Sequence, residues 1–113
     1  RPVLGLSQLR WLHSYSAGVD HWVFQKVRER GVRLTNSSGA AAVPIAHTVM
    51  LYLLALSRDL RGFLAAQQRH AWEPRDIADL QGQRLGVVGL GPIGLEVARL
   101  GLAFGMPVTG LRR

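Results

Sequence analysis

The stretch Leu85-Gly86-Val87-Val88-Gly89-Leu90-Gly91-Pro92-Ile93-Gly94 decides how this chain is read. Leu85 to Val88 has the length and Val-rich composition of a strand buried on both faces of a parallel sheet, and it runs directly into G-x-G-x-x-G. Beyond the third glycine, Ile93, Val97, Leu100 and Phe104 make one apolar stripe of a helix, Glu96 and Arg99 point elsewhere, and Gly105 stops it. Met106 to Leu111 reads as a second strand, so the segment spells strand, glycine turn, helix, strand. The glycines have separable tasks. Gly89 permits the tight turn, Gly91 lets a pyrophosphate approach bare backbone, and Gly94 lets the helix pack closely on the sheet. Pro92 suits the first helical position, where its missing N–H costs no intrahelical bond. A glycine pattern alone also fits an ordinary turn. The flanking strands and helix favour an α/β, Rossmann-type nucleotide-binding domain, with Gly89, Gly91, Pro92, Ile93 and Gly94 as cofactor-binding candidates.

Upstream, Leu9 to Tyr15 alternates as a strand and ends at Ser16-Ala17-Gly18. Asp20 is a suitable N-cap for a helix with Val23, Phe24 and Val27 on its apolar face, and Gly31 stands where a C-terminal cap belongs. Val32 to Thr35 reads as another strand, closed by the turn-rich Asn36-Ser37-Ser38-Gly39. This second βαβ unit lacks the glycine fingerprint and is assigned to a different domain. Between the two units, Ala40 to about Arg69 predicts one buried helix crossing between domains, with Pro44 in its first turn. Pro44, His47, Thr48 and the charges from Arg58 onward leave too short an apolar run for a membrane span. His70 to Pro74 breaks the helix, and Asp76 to Gln83 reads as a polar loop. The expected boundaries are residues 1–43 for the first domain and 44–113 for the connecting helix and nucleotide-binding half.

Composition sets limits. The 113 residues start at Arg1 and stop just after a strand, whereas a Rossmann half needs further strands, so the chain is expected to be a piece of a longer protein. An apolar content of 48% suits a globular fold. No cysteine is present, which rules out disulfides and thiolate metal sites and suits a reducing cytoplasm. The net charge of +7 comes mainly from scattered arginines without an aromatic-interleaved basic stripe, so no nucleic-acid partner is expected. The four histidines show no i, i+4 metal-ligand spacing; His13 reads as a strand-face residue, and His21 and His70 as solvated.

Four ordered segments carry a resemblance: Leu9-Arg10-Trp11-Leu12-His13-Ser14, Ser16-Ala17-Gly18-Val19-Asp20-His21, Thr35-Asn36-Ser37-Ser38-Gly39, and Leu80-Gln81-Gly82-Gln83-Arg84-Leu85 running into the glycine turn. Together the chain resembles the D-isomer-specific 2-hydroxyacid dehydrogenase family. The resemblance implies a flavodoxin-like substrate domain beside a Rossmann domain, with the active site in the cleft between them. It implies hydride transfer between a nicotinamide and a small 2-hydroxy or 2-keto acid such as glyoxylate or hydroxypyruvate, in a homodimer. It also implies that backbone N–H groups at Ala17 and Gly18 receive the substrate carboxylate; from the residues alone, that loop also fits a plain strand-to-helix turn. The family's arginine, histidine and glutamate that hold the acid and move its proton fall beyond residue 113, so no catalytic residue is assigned. His47 stands where the family usually has an acidic residue. Thr48 is a cofactor-contact candidate, with helix packing as the alternative. Because fold does not fix function, corepressors of the C-terminal-binding-protein type, which share this fold, supply a second reading, and a plain interaction fragment a third.

Cofactor choice is read from the end of the chain. An NAD-binding unit carries Asp or Glu about twenty residues past the glycine run to bind the ribose hydroxyls. Here Arg112 and Arg113 stand in that region, and no acid occurs from Arg99 onward. Two guanidinium groups suit a 2′-phosphate, so NADP(H) is expected ahead of NAD(H), unless the pair is only a solvated loop start.

Overall fold

A computed structural model describes residues 5, 7–20 and 22–112. The chain divides into two compact units, Arg1–Ala40 and Ala41–Arg113.

In the first unit, β1 (Trp11–Ser14), α1 (Trp22–Glu29) and β2 (Arg33–Asn36) form a βαβ unit, with the strands parallel and Trp11 opposite Arg33. β1 is shorter than the alternation suggested, whereas β2 keeps the expected length but starts one residue later, leaving Val32 buried just before it. His21, read from the sequence as solvated, lies outside the described residues. The end of α1 is a full Schellman cap. Gly31 has φ +70°, its N–H donates to the Arg28 carbonyl at 2.8 Å, and Val32 N–H donates to the Val27 carbonyl at 3.2 Å. Val27 and Val32, both buried, are the apolar pair that accompanies such a cap.

The second unit contains α2 (Ala42–Ser57), α3 (Leu60–Gln68), β3 (Leu85–Val88), α4 (Pro92–Ala103) and β4 (Val108–Leu111). β3 and β4 are parallel, with Leu85 opposite Val108 and Val88 opposite Leu111. Met50, Leu80 and Met106 are its buried centre, with Leu53, Leu54, Leu85 and Leu100 packed around them. Leu80 therefore anchors the segment read as a polar loop. Gly105, at φ +71°, closes α4 with the same cap geometry as α1: its N–H reaches the Leu102 carbonyl at 2.9 Å, and Met106 N–H reaches the Gly101 carbonyl at 3.0 Å. Phe104, placed in the buried stripe by its spacing, is the C-cap residue and is exposed.

Glycines let α4 lie close on the sheet at two places. A Cβ on Gly94 would overlap the Gly89 carbonyl oxygen, and one on Gly101 would come within 2.5 Å of Leu85 Cδ2 and 3.3 Å of Val108 Cγ2.

Two expectations are corrected here. The single helix from Ala40 to Arg69 is two helices, because the chain turns at Asp59 (φ 45°, ψ 48°). Asp59 caps α3 by accepting from Gly62 N–H at 3.2 Å, and its other carboxylate oxygen pairs with Arg75 at 2.9 Å. Nor is this segment buried: of α2 only Ala46 and Met50 are, while Tyr52 and Leu56 stand 63% and 78% exposed. Likewise β3 is covered on one side only. Leu85 and Val87 lie beneath α4, whereas Val88 is 88% exposed.

Arg75 also pairs with Glu73 at 2.6 Å, which in turn pairs with Arg69 at 2.7 Å, and Arg58 pairs with Asp79. The Ala78 N–H donates to the Ser57 carbonyl at 2.8 Å, satisfying one of the acceptors left open at the end of α2. These bonds tie the 71–79 segment back to the α2–α3 junction. The left-handed end of α3 is made by His70 (φ 54°), with Ala71 N–H on the Ala66 carbonyl at 3.0 Å, a position where glycine is the usual residue. No described helix is long and apolar enough to cross a membrane.

Candidate functional site

The glycine turn leaves the carboxyl end of β3 and becomes the N-terminus of α4. Gly89 has φ +97°, a left-handed conformation that side chains resist, and this redirects the chain out of the strand. Gly91 is the N-cap in extended conformation (φ −82°, ψ −170°), and a Cβ built on it meets no atom within 4 Å. Any residue could adopt that backbone, so what the missing side chain preserves is space. Pro92 occupies the first turn, and the Gly91 carbonyl accepts from Leu95 N–H at 2.9 Å. The preceding amides, Ile93 and Gly94, have no partner within the helix and carry the positive end of its dipole. Bare backbone, open volume and first-turn donors suit a pyrophosphate.

Two further features frame the turn. An apolar cavity of about 410 Å³ opens beside it, lined by Val49 and Leu53 of α2 with Val88, Gly89, Ile93 and Gly94. The Gly89 N–H donates to the Leu111 carbonyl at 2.8 Å, which brings the end of β4 against the turn and puts exposed Arg112 one residue beyond that bond. Arg113 lies outside the described residues. Thr48 does not line the cavity; its hydroxyl donates to the Pro44 carbonyl at 3.0 Å within its own helix. Val49 and Leu53, which do line it, carry no polar signature in the sequence. On α4, Glu96 is paired with Arg99 at 2.6 and 3.0 Å, and that bonding holds its carboxyl below the ordinary value against the opposing effect of desolvation, with a lesser contribution from His47.

The first unit holds the other candidate. The Ala17-Gly18 loop follows β1 and is exposed, and nothing lies within 4 Å of a Cβ placed on Gly18. The loop is held from within. Asn36 Nδ2 donates to the Ala17 carbonyl at 2.5 Å, and Ser16 Oγ donates to the Gly18 carbonyl at 3.0 Å. His13 is engaged with Thr35 and Ser37 hydroxyls at 2.8 and 3.1 Å on the outer face of the β1–β2 pair.

A parallel βαβ unit whose glycine turn exposes bare backbone at a helix N-terminus defines a dinucleotide-binding domain of the Rossmann type. Residues 50–113 match the family described as D-isomer specific 2-hydroxyacid dehydrogenase, NAD binding domain, and the chain belongs to that family. It is 36% identical over 93 residues to a hydroxypyruvate reductase of Thermotoga maritima, covering 80% of this chain and 30% of that one. Its fold matches a glycerate dehydrogenase related protein from Thermoplasma acidophilum (TM-score 0.77, 30% identity, 96% of this chain and 38% of that one). It also matches the D-lactate dehydrogenase from Aquifex aeolicus solved with NAD and lactic acid (TM-score 0.80, 26% identity, 98% and 35%). The chain thus spans about a third of the length of these relatives.

Proposed function

We propose that these residues form part of a longer cytoplasmic, homodimeric oxidoreductase that interconverts a small 2-keto acid and the corresponding D-2-hydroxy acid. In this reading residues 1–43 belong to the substrate domain and 44–113 to the connecting helix and the first half of the nucleotide-binding domain. The observation that carries it is the open space at Gly91 above the first-turn amides of α4, in a chain of this family. A nicotinamide dinucleotide bound there supplies the hydride chemistry. The chain's own residues bind and orient: Gly89, Gly91, Pro92, Ile93 and Gly94 present backbone to the pyrophosphate, while the amides at Ala17 and Gly18 receive the substrate carboxylate. The arginine, histidine and glutamate that complete the site come from chain outside these residues.

NADPH is the preferred reductant in this proposal. The bond from Gly89 to the Leu111 carbonyl sets Arg112 beside the turn, where a 2′-phosphate would meet a guanidinium and no carboxylate follows Arg99. The test is to mix the full-length protein with NADPH or NADH and a panel including glyoxylate and hydroxypyruvate, and to follow loss of the reduced-nicotinamide absorbance. Turnover with one of these acids is expected. Residues 1–113 alone should give none, and absence of turnover by the full-length protein with every acid would refute the assignment.

A further inference from the structure

We infer that Asn36 is a positioning residue for the substrate carboxylate, its side-chain amide fixing the Ala17–Gly18 peptide so that the Gly18 N–H is presented to the acid. The inference rests on the reading of that loop as the carboxylate subsite.

Asn36 ends β2 directly opposite Ser14, the last residue of β1, so the loops that follow both strands leave from one edge of the sheet. Ligands of parallel α/β sheets bind at that carboxyl edge. Asn36 spans the two loops. Its Nδ2 donates to the Ala17 carbonyl at 2.5 Å, while its Oδ1 faces the Ser38 N–H at 3.4 Å. Only this orientation of the amide puts a donor on the carbonyl and an acceptor on the N–H; the flipped amide would set like against like at both ends.

The effect on the loop follows from peptide geometry. In a planar trans peptide the carbonyl and the next N–H point in opposite directions. Holding the Ala17 carbonyl toward Asn36 therefore turns the Gly18 N–H away from it. The next peptide is held too, because Ser16 Oγ donates to the Gly18 carbonyl at 3.0 Å. With its proton spent there, Ser16 accepts from buried Ser14 at 3.0 Å, which satisfies that hydroxyl as well. Without these anchors, the 17–18 peptide would be free to rotate, since Gly18 has no side chain and the space where a Cβ would stand is open. An amide aimed before the ligand arrives binds more tightly than one that must be ordered on arrival.

The test uses the full-length protein and two substitutions, Asn36→Ala and the isosteric Asn36→Asp, which keeps the shape but loses the donor when ionised. KM for the keto acid, the dissociation constant of oxamate as a carboxylate probe, and KM for NADPH are measured for each. Both variants should raise the keto-acid KM and weaken oxamate by about tenfold, the size of one hydrogen bond to a charged group, with NADPH unchanged. Wild-type values for keto acid and oxamate in either variant would overturn the role, and so would a parallel rise for NADPH, the mark of a general structural effect. A wild type that binds oxamate but turns over no keto acid would sink the dehydrogenase reading alone, and the oxamate comparison would still decide Asn36.

Discussion

Gly94→Ala adds one methyl group where α4 lies closest to the turn. Its Cβ would overlap the Gly89 carbonyl oxygen and approach Val87 Cγ1 to 3.2 Å. The oxygen belongs to backbone fixed at φ +97°, and no rotamer change moves it aside, so the helix itself must withdraw. Such overpacking costs about 1–3 kcal/mol, here toward the upper end because the obstacle is main chain. Alanine returns about 1 kcal/mol as the better helix former. The net loss is therefore about 1–2 kcal/mol, readable as a lower denaturation midpoint without added nucleotide. Gly91→Val supplies the contrast, since its position is open and extended. It should leave the midpoint within about 1 kcal/mol of wild type, yet weaken NADPH binding in calorimetry by at least about tenfold, or roughly 1.4 kcal/mol. Wild-type stability for Gly94→Ala, or wild-type affinity for Gly91→Val, would refute the division of labour between the two glycines.

Arg112→Asp should move kcat/KM from NADPH toward NADH by at least about tenfold at moderate salt, from loss of one charge-assisted bond plus repulsion of the 2′-phosphate; an unchanged ratio would remove Arg112 from cofactor choice. Met50→Ala should destabilise by about 2–5 kcal/mol in denaturant, because Met50 is 4% exposed at the centre of the second unit. His70→Gly should raise stability by up to about 1 kcal/mol by relieving the left-handed φ of 54°, and a lower melting temperature would contradict that account. The Glu73 carboxyl, held below its ordinary value first by its bond to Arg69, should titrate lower than a free glutamate by NMR and move back up in Arg69→Gln. Because its folded value is depressed, the stabilisation is present above the unfolded value and fades as pH falls through the folded one.

The parts legible in the sequence were those set by neighbouring residues. Val-rich runs between glycines gave β3 and the turn, and Gly31 and Gly105 marked helix ends where a left-handed residue was needed. The break at Asp59 contains neither glycine nor proline and depends on Arg75, sixteen residues away, so apolar periodicity ran through it; the spacing from Asp59 to Gly62 was its local trace. The exposure of Val88 was hidden for another reason. Composition reports what a strand can bury, whereas burial depends on which elements lie over it. Asn36 looked like turn vocabulary, and only the pairing of Ser14 with Asn36 showed that its amide reaches the preceding loop.

The two close approaches of α4 to its sheet differ in hardness. Gly94 and Gly101 are two helical turns apart, about 10 Å, and so face the same side. At Gly94 the obstacle is a main-chain oxygen; at Gly101 the nearest atom is Leu85 Cδ2, the free end of a side chain that can swing aside. The helix thus behaves as a beam with a rigid bearing at the glycine-turn end and a cushion at the other. A larger residue at 101 should tilt the far end and leave the first-turn amides nearly where they are, so changes in the sheet packing can be absorbed without re-aiming those amides.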